Sequence, residues 1–299
     1  MKHAHRPKQT SVADELFEYR SVEKKKLKAT IAITGAMMLV EVMGGLLTNS
    51  LALISDAGHM FTHFFALAIS FGAILCANRE NCHGRTFGFY RIEILSALFN
   101  SLFLFGVTAW ILFEGIKRII HPAPILGMQM FIIAVSGLIV NLISALILHG
   151  ASKDDLNVKG AFLHMWADTL SSVVIVVGAV IIYFTNWNII DPILSIGIAL
   201  VIFGWGWELF KDSANILLES VPKGIDTDEV TNVLTKEVPA ISAITDLHIW
   251  QITSKMYSMT AHVSLKEEFE KEQEKAILHK IKKILDERFD IEHVTIEFE

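Results

Sequence analysis

The sequence predicts an α-helical membrane protein, six transmembrane helices followed by a small α+β domain at the carboxyl end, on three observations. First, ionised residues are unevenly spread: of 299 residues 52% are hydrophobic and 19% charged, and the charges crowd toward the two ends. A soluble chain would scatter Lys and Glu through every amphipathic helix, whereas Ala29–Leu47 holds one ionised group, Glu41, and Ala161–Phe184 holds one, Asp168. Second, six stretches reach the ~20 apolar residues that a helix needs to cross a bilayer. Third, after Lys211 continuous apolar runs give way to the alternating patterns of a soluble domain.

The six stretches are Lys28–Leu47, Leu51–Ala77, Phe87–Ile119, Ile125–Leu148, Ala161–Phe184 and Ile189–Phe210. An even number of crossings puts both termini on one side. The amino-terminal segment is basic, the second loop has Arg79, Arg85 and Arg91, and the fourth has Lys153 and Lys159, while Thr48–Ser50 and Thr185–Asn188 carry no basic residue. The positive-inside tendency therefore places both termini and these two loops in the cytosol. Lys117 and Arg118 are the exception, expected to snorkel toward the outer interface. The resulting organisation is a cytosolic segment over 1–27, a six-span domain over 28–210 and a cytosolic domain over 211–299.

In the last of these, Pro222 and Gly224 mark a linker and Asp226–Asp228 offers helix amino-terminal caps. Val230, Val233, Leu234 and Val238 recur at helical spacing. Ile244–Thr253 and Met256–Leu265 are β-branched-rich runs joined by a short turn, Glu268–Phe289 is a charged amphipathic helix, and Val294–Phe298 alternates as a strand. The order αββαβ suits a small sheet with helices on one face, as in ferredoxin-like domains.

Composition removes several classes. A net charge of −6 leaves no footprint for nucleic acid. No cleaved signal peptide is evident. Cys76 and Cys82 are too few for a disulfide framework, and at the cytosolic end of the second span they are expected as thiols.

The chemistry concentrates in two spans. His59 and His63 are four residues apart, about 40° apart around a helix and one turn above each other. His164 and Asp168 repeat that spacing in the fifth span. On facing helices the two pairs present four donors to one ion in the tetrahedral arrangement that zinc and its neighbours accept, at about 2.0–2.2 Å. A lone intramembrane histidine is ordinarily a hydrogen-bonded packing residue. Two matched pairs are not, because an Asp at mid-helix alone costs at least ~2.5 kcal/mol to keep in lipid. Asp56, one turn before His59, is either an alternative ligand or an acceptor that orients the His59 ring, the second being favoured. Glu41, Glu114 and Asp191 suit either helix-to-helix hydrogen bonding or a proton path.

With these residues in view, the chain resembles the cation diffusion facilitator family, in particular its zinc exporters. The resemblance runs through Ser50–Leu53 with Asp56–His59, Thr86–Gly88 with Arg91–Ile94, Gly160–His164 with Asp168, Asp191–Pro192 and Leu247–Trp250, covering nearly the whole chain. It implies a homodimer of six-span subunits in a membrane, exchanging cytosolic Zn²⁺ or a related divalent ion such as Co²⁺, Cd²⁺ or Ni²⁺ for protons. One departure stands out: relatives carry His then Asp in the second span, and here the second position is His63. With Asp168 the one anionic ligand, a bound divalent ion keeps a net charge near +1. Three imidazoles and one carboxylate suit zinc and its transition-metal neighbours better than oxygen-seeking ions. Imidazoles must be deprotonated to bind metal, so proton and ion compete for the same lone pairs.

Further metal contacts follow from the resemblance. Cys82 and His83, a soft and a borderline ligand, lie where relatives often hold a second ion, against the ordinary reading of a loop thiol beside a surface histidine. His248 and His262 on paired strands, with Glu299, match the arrangement through which structural zinc draws two tails together. Relatives, however, commonly have a histidine where this chain has Thr245. The short fourth loop, Gly150–Val158, fits a bacterial inner membrane. Two alternatives compete: a membrane-anchored metal sensor, and a di-iron membrane enzyme, which would need many more histidines than one HxxxH and one HxxxD.

Overall fold

The computed structural model describes residues 32–77, 87–88, 90–149, 156–253, 256–267 and 269–299. Eight helices and three strands occur among them: α1 Ala32–Thr48, α2 Leu51–Ala77, α3 Arg91–Ile120, α4 Gly127–His149, α5 Leu156–Thr185, α6 Ile190–Leu217, α7 Thr227–Glu237, β1 Ile241–Thr253, β2 Met256–Leu265, α8 Lys271–Phe289 and β3 His293–Phe298. Helices α1 to α6 fall on the six expected spans. Among the described residues, Arg91–Ile120, Asp168–Thr185 and Ile190–Leu217 are long and apolar enough to cross a membrane, and Ala32–Thr48 and Gly127–Ile143 are shorter apolar stretches. The chain divides into two units, Met1–Ala68 with Leu104–Phe203, and Ile69–Phe103 with Gly204–Glu299.

In the first unit the interior is apolar but interrupted by polar groups at chosen points. Ala52, Leu53, Met130, Ala134, Ile175, Ala179 and Ile182 form one buried cluster joining α2, α4 and α5. Leu51, Ile111 and Ala199 form a second, joining α2, α3 and α6. Large apolar side chains such as Leu39, Met43, Phe113, Leu170 and Val177 remain exposed, as expected where the solvent is lipid. Close approach needs a missing side chain at Gly127, where a Cβ would sit 3.0 Å from the Tyr183 backbone.

The turn between α1 and α2 is tight, and Asn49 takes a left-handed φ of 60° to make it. Across from that turn Asp191, in the first turn of α6, accepts hydrogen bonds from Ser50 Oγ at 2.5 Å, Leu51 N at 2.7 Å and Ala52 N at 3.2 Å. The orphan N–H groups that open α2 are thereby satisfied by a carboxylate from another helix, where the helix dipole favours negative charge. Pro192 follows in the first turn of α6, where its missing N–H leaves no bond unmade.

The second unit contains the sheet. Strands β1 and β2 pair antiparallel and β3 pairs parallel to β2, in the order β1-β2-β3. Ile249, Met259, Ala261 and Val263 meet Val230, Leu234, Ile281 and Leu285 from α7 and α8 in one core. Helix α7 opens on Asp226, which accepts from Asp228 N at 2.8 Å. The predicted helix over Glu268–Phe289 begins at Lys271, because Glu270 and Gln273 close a capping box at that point. Helix α6 continues past Phe210 to Leu217; its backbone ladder does not depend on apolar side chains, so the end of the hydrophobic run is not the end of the helix.

Candidate metal centre

His59 of α2 and Asp168 of α5 are brought together in the first unit, with Nε2 2.9 Å from Oδ1. His59 is 6% exposed and Asp168 is partly buried, so this is a part-buried imidazole–carboxylate pair. Two ligand atoms around a tetrahedral zinc lie about 3.3 Å apart when each bond is about 2.05 Å. The observed separation is a few tenths shorter, so the pair is set for a shared ion or a shared proton. The side chains of His63 and His164, the other two predicted ligands, lie outside the described residues. Among the described residues no three such ligands converge on one point.

A polar network stands behind the pair. Ser171 Oγ reaches Asp56 Oδ1 at 3.0 Å and the Asp168 carbonyl at 2.8 Å. Ser172 Oγ approaches Asp56 Oδ2 at 3.4 Å and the Asp168 carbonyl at 3.1 Å, and accepts from Asn141 Nδ2 at 2.9 Å. Asp56, 3% exposed, thus ties α2 to the turn of α5 that holds Asp168. Neither serine was legible as a site residue in the sequence, where hydroxyls in helices are common and carry no ligand spacing.

The remaining intramembrane acids separate. Asp191 caps α2, as described above. Glu114 pairs within its own helix, with Arg118 Nε at 3.1 Å and Lys117 Nζ at 3.4 Å. Arg118, expected to reach toward the outer interface, also donates from Nη1 to the carbonyl of Asn49, in the turn between α1 and α2, at 2.6 Å. A guanidinium with several donors holds a carboxylate and a carbonyl together.

In the tail, the open face of the sheet gathers ionisable groups. His248 Nε2 lies 2.9 Å from Asp246 Oδ1, His262 Nε2 lies 3.8 Å from Asp246 Oδ2, and His262 Nδ1 lies 2.7 Å from Glu299 Oε1. His262 and Glu299 are therefore adjacent, and Asp246 links His262 to His248. Asp246 was missed in the sequence because it sits at an irregularity between Thr245 and His248, with φ of 49°, where simple strand alternation fails. The hydrogen bond that the His262 ring donates to Glu299, with the nearby charges of Glu299, Glu297 and Asp246, raises the His262 pKa above the ordinary histidine value. Cys82 and His83 lie outside the described residues.

Comparison with known proteins completes the picture. The chain matches the model of the cation efflux transmembrane domain over residues 27–218 and that of the cation efflux protein cytoplasmic domain over residues 222–299. This chain belongs to the cation efflux family. As a cation diffusion facilitator it is a multi-pass membrane transporter of metal cations and not an enzyme. Its relatives include the metal cation efflux system protein CzcD of Cupriavidus metallidurans, 45% identical over 92% of this chain and 86% of that one. The zinc transporter ZitB of Escherichia coli is 38% identical over 92% of this chain and 87% of that one. A cadmium, cobalt and zinc/H(+)-K(+) antiporter of Bacillus velezensis is 37% identical over 93% of this chain and 89% of that one. The carboxyl-terminal domain of this cation diffusion facilitator is the αββαβ unit described above, with its three-stranded sheet and two helices.

Proposed function

We propose that this cation efflux protein exports divalent transition-metal ions from the cytosol in exchange for protons, with Zn²⁺ the first substrate and Co²⁺, Cd²⁺ and Ni²⁺ accepted. The ion sits between α2 and α5 on His59, His63, His164 and Asp168, while Asp56 positions the α5 side of the site through Ser171 and Ser172. The observation that carries this reading is the part-buried His59–Asp168 pair at 2.9 Å. One lone pair of that imidazole serves either a proton or an ion, so metal arrival displaces a proton and proton arrival displaces the metal. The metals in the names of the relatives, and the proton in one of them, support the same direction.

In this reading residues 1–27 and 211–299 are cytosolic, residues 28–210 form the membrane domain, and the protein is a homodimer in a bacterial inner membrane. His248, His262 and Glu299 take a structural zinc in the tail, with Cys82 and His83 as further candidate ligands.

Sealed proteoliposomes with an imposed pH gradient test the transport reading. Zinc should accumulate against its own gradient, and Asp168→Ala should lower the rate by at least about a hundredfold while the variant elutes as folded protein, since a single carboxylate is the only anionic ligand. Zinc movement at the wild-type rate in that variant would rule the site out, and indifference to collapse of the pH gradient would rule out proton exchange.

A further inference from the structure

Glu41 is the buried acid of the first unit for which neither capping nor the ion site accounts. It lies on α1 and is 1% exposed, and its Oε2 is buried without a hydrogen-bond partner. Its Oε1 points at Gly137 of α4, where a Cβ would overlap it. The glycine therefore makes the room in which the carboxyl head sits. Asp56 of α2 is the acid whose charge acts on it, and α4 presents the bare Cα of Gly137. Among the described residues no cation pairs with Glu41. An ionised carboxylate enclosed by apolar surface, with an unsatisfied oxygen and a second acid as its electrostatic neighbour, is far costlier than the neutral acid.

We propose that Glu41 is a proton site separate from the metal ligands, holding a proton while the ion site is empty and releasing it when a divalent ion seats between His59 and Asp168. The inference rests on the transport reading above and extends it. Asp56 provides the link, because its charge acts on Glu41 and it is held by Ser171 and Ser172, whose hydroxyls also reach the Asp168 carbonyl. A site of three neutral imidazoles and one carboxylate leaves a divalent ion with one uncompensated positive charge. Ionisation of Glu41 supplies the missing negative charge one helix away. In that step the O–H bond of Glu41 breaks, its electron pair stays on the carboxylate, and the proton passes to water. When the ion leaves, a proton from water re-forms the acid, so charge and protons balance over the cycle.

Two measurements on the full chain in detergent or lipid test this with zinc as the probe. Proton release on zinc binding, followed in weakly buffered solution, should fall by about one proton per ion in Glu41→Gln, with zinc still bound. The infrared band of a buried carboxylic acid should diminish when the wild-type protein is loaded with zinc, be absent in Glu41→Gln, and shift in Glu41→Asp, which keeps an acid. Unchanged proton release in Glu41→Gln, or no loss of an acid band in the wild type, overturns the proposal; the second outcome is read without any variant. The His59→Ala and Asp168→Ala variants tell the two ideas apart. If they bind zinc like the wild type, the ion site itself is wrong; if they do not while Glu41→Gln releases the wild-type number of protons, only the Glu41 assignment fails.

Discussion

At the scale of single residues, His63 is an imidazole at the position where the family resemblance leads one to expect a carboxylate. Exchanging it restores the second negative charge and an oxygen donor. His63→Asp should therefore admit Mn²⁺ with at least a tenfold gain relative to Zn²⁺ in competitive flux, since manganese favours oxygen-rich shells; equal selectivity in the two proteins would show that this residue does not shape the coordination. In the tail the same type of side chain behaves differently. The His262 pKa is raised chiefly by its hydrogen bond to Glu299, so the pair strengthens the folded domain at pH below the ordinary histidine value and ceases to do so as pH rises through the raised one. Proton NMR of Glu299→Gln should show the His262 titration moving to lower pH, and no movement would mean that the 2.7 Å contact does not persist in solution.

At the scale of elements, α2 is positioned less by its own sequence than by the carboxylate that opens it. Asp191 was legible only as an acid at the start of a span, equally suited to hydrogen bonding or a proton path. The fold assigns the first, with one hydroxyl and two backbone N–H groups on a single buried side chain. Removing it in Asp191→Ala orphans all three donors, at a cost of about 3 kcal/mol or more, and should lower the thermal unfolding midpoint in mixed micelles. Asp191→Asn, which keeps one acceptor oxygen, should fall between the two; a wild-type midpoint for the alanine variant would remove the cap from the account. The tail elements were legible to within a few residues because period-2 and period-3.6 patterns are local. Asp246 was not, because a strand irregularity breaks the period exactly where the extra ligand-type residue enters.

At the scale of the whole molecule, six apolar stretches and the Lys and Arg asymmetry between loops predict both the number of crossings and their direction. With Cys76 and Cys82 replaced by serine, a single cysteine at Asn188 should react with a membrane-impermeant maleimide added to intact cells, and one at Lys271 only after permeabilisation; the opposite pattern would invert the proposed orientation. The sequence by itself determined the membrane class, the six helices, the αββαβ order of the tail and the spacing of His59, His63, His164 and Asp168, because helical and strand periodicities and the apolar length of a span are properties of contiguous residues. Only the tertiary structure decided that His59 meets Asp168, that Asp56 is held by Ser171 and Ser172, that Asp191 caps α2 and that Glu41 is enclosed against Gly137. These are relations between helices more than thirty residues apart for His59–Asp168, Asp56–Ser171 and Asp191–α2, and a buried polar group's role depends on which partner the fold brings within hydrogen-bond reach.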